Sequence, residues 1–159
     1  MKIAVYPGSF DPITLGHLNI IKRASRIFDK VIVCVAVNSS KRPCFSMEER
    51  TDFVRRVIGK YGNVEAASFD GLLVDFARER QAGFIIKGLR AVSDFEMEFQ
   101  IALLNKKLAP QIETVFLTAD EKYTYLSSTI AREMAMYNAD ISKVVPREIA
   151  QDVLDKLSK

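Results

Sequence analysis

Apolar residues follow two rhythms along this chain. Ile3-Ala4-Val5-Tyr6 and the Val-rich run at residues 31–37 are short and unbroken. Such continuity is expected of a parallel strand covered on both faces rather than of a half-exposed one. From Thr14 onward the spacing turns helical, with Leu18, Ile21, Ala24 and Phe28 on one face, after a loop opened by Pro7-Gly8. Ser46-Met47-Glu48-Glu49 spells a capping box, in which the Ser46 hydroxyl and Glu49 carboxylate each satisfy a backbone donor, and predicts a helix to about Lys60. Further runs predict strands at 64–68, 84–87 and 113–118 and helices at 72–80 and 94–108. Two helices close the chain, at 128–137 and 146–157, with Pro146 suited to a first helical position and Ile149, Val153, Leu154 and Leu157 forming the apolar stripe.

Strict alternation of strand and helix predicts an α/β fold: a single domain over residues 1–159 with a Rossmann-like, doubly wound, five-stranded parallel sheet. The helix at 94–108 departs from pattern. It carries Phe95, Phe99 and Ala102 on one side and Met97, Ile101, Leu104 and Leu108 on another, whereas a helix covering one sheet face needs one stripe. A deeply packed helix and a subunit interface explain this equally well.

At 159 residues, a chain buries roughly two-thirds of its unfolded surface, so no disulfide or metal staple is needed. No apolar run approaches the roughly 20 residues that cross a bilayer, and residues 1–5 lead straight into a polar loop, which speaks against secretion and membrane insertion. The two cysteines, Cys34 and Cys44, exclude a disulfide framework and suit a reducing, cytoplasmic setting. A net charge of +3 is too mild to argue for nucleic acid, and the cations form no stripe interleaved with aromatics.

In an open parallel sheet, ligands bind beyond the carboxyl ends of the strands where the strand order reverses. The predicted strand ends carry Pro7-Gly8-Ser9-Phe10-Asp11, then Ser39-Ser40-Lys41-Arg42, Lys87-Gly88-Leu89-Arg90, and Leu126-Ser127-Ser128-Thr129. In a 3-2-1-4-5 order, the first and fourth strands are neighbours, and Ser9, Lys87 and Arg90 surround one crevice, the outline of a polyphosphate site. Thr14 is placed to cap a helix whose first turn carries Gly16 and His17, where unpaired amides favour an anion and Gly16 lets it approach closely. A lone histidine is often just solvated, but the glycines and Ser9 around this one favour the anion. Lys87 and Arg90 follow an apolar strand, either as an ordinary charged turn or as an anion site, and the pair Lys41-Arg42 is weaker still. Ser127-Ser128-Thr129 reads as a helix cap, yet no Glu or Gln closes a capping box and Arg132 follows at phosphate-binding distance. Tyr123 and Tyr125 could stack on a base or simply pack. One His and no Cys cluster exclude a zinc site, whereas Mg2+ carried by nucleotide phosphates is compatible with the chain.

With these residues the chain resembles the bacterial phosphopantetheine adenylyltransferases, a branch of the nucleotidyltransferase superfamily marked by an H-x-G-H motif. The first motif is similar at Tyr6-Pro7-Gly8-Ser9-Phe10-Asp11-Pro12 with Gly16-His17, the central one at Lys87-Gly88-Leu89-Arg90 with Asp94-Phe95-Glu96, and the third at Leu126-Ser127-Ser128-Thr129 with Arg132. The resemblance spans essentially the whole chain. It implies that ATP and 4'-phosphopantetheine are joined to give dephospho-coenzyme A and pyrophosphate, with Mg2+, in a cytoplasmic homohexamer built as a dimer of trimers. It further implies that Ser9 and Lys41 hold the acceptor phosphate, that Leu73 and Lys87 border that substrate, and that His17 stabilises the transition state. Ser9, Phe10, His17, Gly88, Leu89, Arg90, Glu98 and the stretch Tyr123, Thr124, Tyr125, Leu126, Ser127, Ser128, Thr129 would surround ATP. The chain departs from the family pattern at Ser9, where many relatives have Thr, at Lys87 for Arg, and at Met97 for Tyr, while Thr14 takes the place of the superfamily's first His, as is usual in this branch. Lysine keeps the charge of arginine but loses its bidentate geometry.

Such a transfer needs no general base, since a phosphate monoester is already ionised near neutral pH and the task is to bring two anions together. Two other functions stay open on the sequence: an adenylyltransferase for another phosphate, such as nicotinamide mononucleotide, and a nucleotide-sensing module without turnover. The presence of both His17 and Lys41 favours an enzyme over the latter.

Overall fold

The computed structural model describes residues 1–37, 40 and 42–159. Their elements run β1 (Ile3–Gly8), α1 (Leu15–Ile27), β2 (Lys30–Ala36), α2 (Met47–Ile58), β3 (Val64–Phe69), α3 (Leu73–Glu79), β4 (Phe84–Leu89), α4 (Val92–Leu108), β5 (Glu113–Thr118), α5 (Ser128–Met136) and α6 (Arg147–Leu157), with a 3-10 turn at Glu121–Tyr123 before α5. The strands form one parallel sheet in the order β3-β2-β1-β4-β5. The expected doubly wound sheet is therefore present, with element ends shifted by at most two residues. Pro146 stands at the cap of α6 rather than inside its first turn.

Alternate residues of the central strands feed two separate cores. Val31, Val33 and Val35 of β2 pack with Ala4 and Tyr6 against α1, α2, α5 and α6. Ile32 and Cys34 pack with Val5 and Ile85 against Val74, Phe76 and Ala77 of α3. Burial on both faces is why these runs do not alternate with polar residues.

β1 and β2 stay paired from Ile3 with Lys30 to Gly8 with Val35, whereas β1 pairs with β4 at Ala4 with Phe84 and Val5 with Ile85. The two middle strands thus part before their carboxyl ends and open a crevice at the point where strand order reverses. This parting also lets β1 run on through Pro7, because a residue without an N–H removes no ladder bond on an edge that is already open.

The helix with two apolar stripes is not a deeply packed one. Within the protomer Met97 is 67 % exposed, Leu103 57 % and Leu104 55 %, and among the described side chains of α4 Asn105 alone is buried. Phe95 touches the sheet through the Phe116 ring, at 5.6 Å between centroids, while Met97, Phe99, Ile101, Leu103, Leu104 and Leu108 stay exposed.

Candidate active site

The loop after β1 is folded tightly on itself. Phe10 adopts a left-handed backbone (φ 45°), costly for a side chain with a Cβ, and its ring is buried edge-on against Tyr6 and His17 at 5.5 and 5.0 Å. Gly8 is required beneath it, since a Cβ there would lie 2.9 Å from the Phe10 ring. Asp11 is buried, and its two carboxylate oxygens accept the backbone N–H groups of Cys44 and Phe45 at 2.9 Å, which joins this loop to the start of α2.

Thr14 caps α1 as its sequence position predicts, with Oγ1 accepting the His17 N–H at 3.3 Å. The reciprocal bond comes from an unexpected side chain: the Thr14 N–H donates to His17 Nδ1 at 3.0 Å, so the imidazole closes the capping box in the place usually taken by a carboxylate. Because a backbone amide can only donate, Nδ1 must be the unprotonated nitrogen and the ring proton sits on Nε2. Burial, reinforced by the positive charge of Arg90, lowers the His17 pKa to about 4. At neutral pH the ring is an uncharged Nε2–H donor. Gly16 is not demanded by the protein itself, as an added Cβ would meet Thr14 Oγ1 at an ordinary 3.5 Å.

On the β4 side the cations are held by α4. Lys87 pairs with Glu98 at 3.1 Å, although Glu98 Oε2 is not aligned for a hydrogen bond. Arg90 faces Asp94 at 3.4 Å and donates from Nη1 to the Leu126 carbonyl at 2.7 Å, linking the end of β4 to the segment before α5. Gly88 between them has a packing reason of its own, because a Cβ there would press on Ile20 of α1 at 3.1 Å.

At the start of α5 both serines have structural partners. Ser127 Oγ accepts the Ile130 N–H, and the Ser128 hydroxyl donates to the Pro12 carbonyl at 2.8 Å. Arg132, at phosphate-binding distance in the sequence, lines the crevice with its Nη1 donating to the Asp11 carbonyl at 2.7 Å and lying 3.6 Å from the Asp11 carboxylate.

These pieces surround a crevice of about 860 Å³ over the parted ends of β1 and β4. Of the residues singled out in the sequence, Ser9, Phe10, His17, Leu73, Lys87, Gly88, Arg90, Glu98, Tyr123, Leu126, Ser127, Ser128 and Thr129 all line it. Leu89, Thr124 and Tyr125 are not among its lining residues; Thr124 Oγ1 is bonded to the Glu121 carbonyl, and Tyr125 is largely exposed. Tyr123 lines the crevice and also packs on the core. Lys41 lies outside the described residues. Arg42, of the weaker cationic pair in the sequence, lines the crevice, and so does Arg50, which the sequence did not mark because it sits in the regular pattern of a capped helix.

Comparison with known proteins agrees with this geometry. Residues 5–134 match the cytidylyltransferase-like family model. The chain is 51% identical over 158 residues to the phosphopantetheine adenylyltransferase of Clostridium perfringens, covering 99% of this chain and 96% of that one. It is 53% identical over 156 residues to that of Alkaliphilus metalliredigens, covering 98% and 99%. Among solved structures, the nicotinic acid mononucleotide adenylyltransferase of Plasmodium falciparum superimposes with a TM-score of 0.71 over 98% of this chain and 95% of that one, at 16% identity, a likeness of fold.

Proposed function

The chain belongs to the phosphopantetheine adenylyltransferase family, and from that premise we propose how its crevice transfers the adenylyl group of ATP to 4'-phosphopantetheine, giving dephospho-coenzyme A and pyrophosphate. The observation that carries the reading is the locked imidazole. With Nδ1 occupied by the Thr14 N–H, His17 offers one donor, Nε2–H, at the mouth of a helix N-terminus. A donor fixed before the substrate arrives needs no reorganisation when charge builds on an α-phosphate oxygen, which is where such a group accelerates the reaction. The nucleophile is a phosphate monoester, already ionised, so the site has to overcome repulsion between anions rather than remove a proton.

In this reading Ser9 and Lys41 hold the acceptor phosphate, with Leu73 and Lys87 along the same substrate. ATP lies against Phe10, Gly88, Arg90, Glu98 and Tyr123, and its β- and γ-phosphates meet the N-terminus of α5 at residues 126–129, where backbone amides favour anions. Lys87 must exchange Glu98 for a phosphate as substrates enter. The crevice carboxylates Asp11, Asp94 and Glu98 each face a cation. Mg2+ therefore enters as part of the nucleotide substrate, held by its phosphates and water.

We place the reaction in the cytoplasm, where the two free thiols of Cys34 and Cys44 remain reduced, and in a homohexamer, where other copies cover the apolar surface of α4. No described helix is long and apolar enough to cross a membrane. Pyrophosphate release measured with a panel of phosphate acceptors tests the activity. Release with 4'-phosphopantetheine is expected. Release with nicotinamide mononucleotide instead would overturn the acceptor, and ATP binding without release for any acceptor would leave a nucleotide-sensing module.

A further inference from the structure

Arg50 lies on α2 and is 4 % exposed, an unusual fate for a charge on the first turns of a helix. Its guanidinium meets three backbone carbonyls from three separate segments. Nε donates to Phe45 at 3.1 Å, and Nη1 donates to Ser9 at 2.7 Å and to Ala36 at 3.3 Å. These are the residue before the α2 cap, the loop after β1 and the end of β2. Carbonyls satisfy donors but do not neutralise a charge. The carboxylate that acts on Arg50 from a distance, Asp11, is itself engaged with Arg132 and with the N–H groups of Cys44 and Phe45. Among the described residues no carboxylate lies within ion-pair distance of the Arg50 guanidinium, and Arg50 lines the crevice. A buried cation without a counter-ion is costly unless one arrives.

We propose that Arg50 is a positioning residue for the acceptor phosphate, setting the spacing between Ser9, Ala36 and Phe45 and supplying a fixed positive charge at these three carbonyls. The proposal rests on the adenylyl-transfer reading above and adds to it a residue that touches no reacting atom in the arrangement described. Only a planar fork can reach three carbonyls at these angles, so lysine keeps the charge but loses the spacing. Glutamine loses both.

The test is steady-state kinetics of Arg50→Lys and Arg50→Gln with ATP and 4'-phosphopantetheine varied separately, alongside thermal unfolding. The wild-type enzyme must release pyrophosphate; if it does not, the adenylyl-transfer reading fails first, and Arg50 is not at issue. Given an active wild type, Arg50→Lys is expected to lower kcat/KM for the acceptor roughly ten-fold with KM for ATP nearly unchanged, and Arg50→Gln roughly a hundred-fold. The salt dependence of the acceptor KM should weaken in Arg50→Gln and persist in Arg50→Lys. A folded variant with unchanged acceptor kinetics, or equal losses toward both substrates, overturns the proposal. If neither variant folds, the wild-type enzyme with labelled arginine decides: the Arg50 Nε signal, identified by its contacts with Phe45, must shift on adding 4'-phosphopantetheine and not on adding ATP, and a still signal overturns the proposal.

Discussion

Helices α1 and α4 occupy equivalent places, each leaving the carboxyl end of a central strand beside the crevice, and they are stabilised in opposite ways. α1 is capped by the reciprocal Thr14 and His17 bonds and buries Ile20, Ile21 and Ala24 in the protomer's own core. α4 has no side-chain cap and leaves most of its apolar residues open. The consequence for the site is a division of labour. His17 is held by the protomer's buried cap, whereas Lys87 and Arg90 face Glu98 and Asp94 on the exposed α4, with Arg90 held as well by the Leu126 carbonyl. One wall of the crevice rests on a helix buried in the single chain, and the other on a helix whose apolar side chains are exposed there.

The sharpest way to break this comparison is at the wall on the buried helix. His17→Ala is expected to lower kcat by roughly a hundred-fold or more with little change in ATP affinity, since its donor acts on the transition state. Near-normal kcat in a folded variant would remove His17 from the mechanism. Next in size is the division between walls. Lys41→Ala should weaken 4'-phosphopantetheine more than ATP, and Arg90→Ala the reverse, each by about 1.5 to 3 kcal/mol, or roughly ten-fold to over a hundred-fold. Separate titrations read this, and equal losses for both substrates in both variants would abolish the distinction.

The open wall is tested by sedimentation. The wild-type protein should form an assembly larger than a dimer, and Leu104→Glu should shift it to smaller species while weakening ATP by about 1 kcal/mol, or roughly five-fold. A stable wild-type monomer at micromolar concentration would show that α4 needs no cover. The smallest effect is at the cap. Thr14→Ala should cost about 1 kcal/mol of stability, measured by denaturant unfolding. The ring should stay in place, because the backbone N–H at position 14 that donates to Nδ1 is retained, and as His17 is the single histidine of the chain its proton resonances report this without ambiguity. In the intact protein the ring should stay neutral down to about 4, against an ordinary 6.5. The unfolded chain then binds a proton that the folded chain refuses, so stability falls as pH drops through that window.

The sheet was readable because burial on both faces writes Val-rich runs at residues 31–35 that no half-exposed strand would tolerate. The caps at Thr14 and Ser46 were readable because they use partners three residues away. What stayed hidden was settled by partners distant in sequence. Arg50 looks like any charged residue of a helix start, and its acceptors stand 5, 14 and 41 residues away. Arg132 has the spacing of a phosphate ligand, and its bond to the carbonyl of Asp11, 121 positions earlier, has no signal in the local sequence. The two stripes of α4 fit a packed helix and a subunit interface alike on the sequence, since a second copy and the protomer's own core exclude water equally well, and within the chain they stay exposed.

The contact between Gly88 and Ile20 gives the two walls a common pivot. An added Cβ at 88 would stand 3.1 Å from the Ile20 side chain, one turn of α1 beyond His17. A methyl group there is a wedge driven between the strand that carries Lys87 and the helix that carries the imidazole. The spacing between that strand and that helix is thereby gauged by a missing atom, and Gly88→Ala would press on Ile20 and reach the Tyr6 hydroxyl at 3.5 Å without removing a charge or a donor.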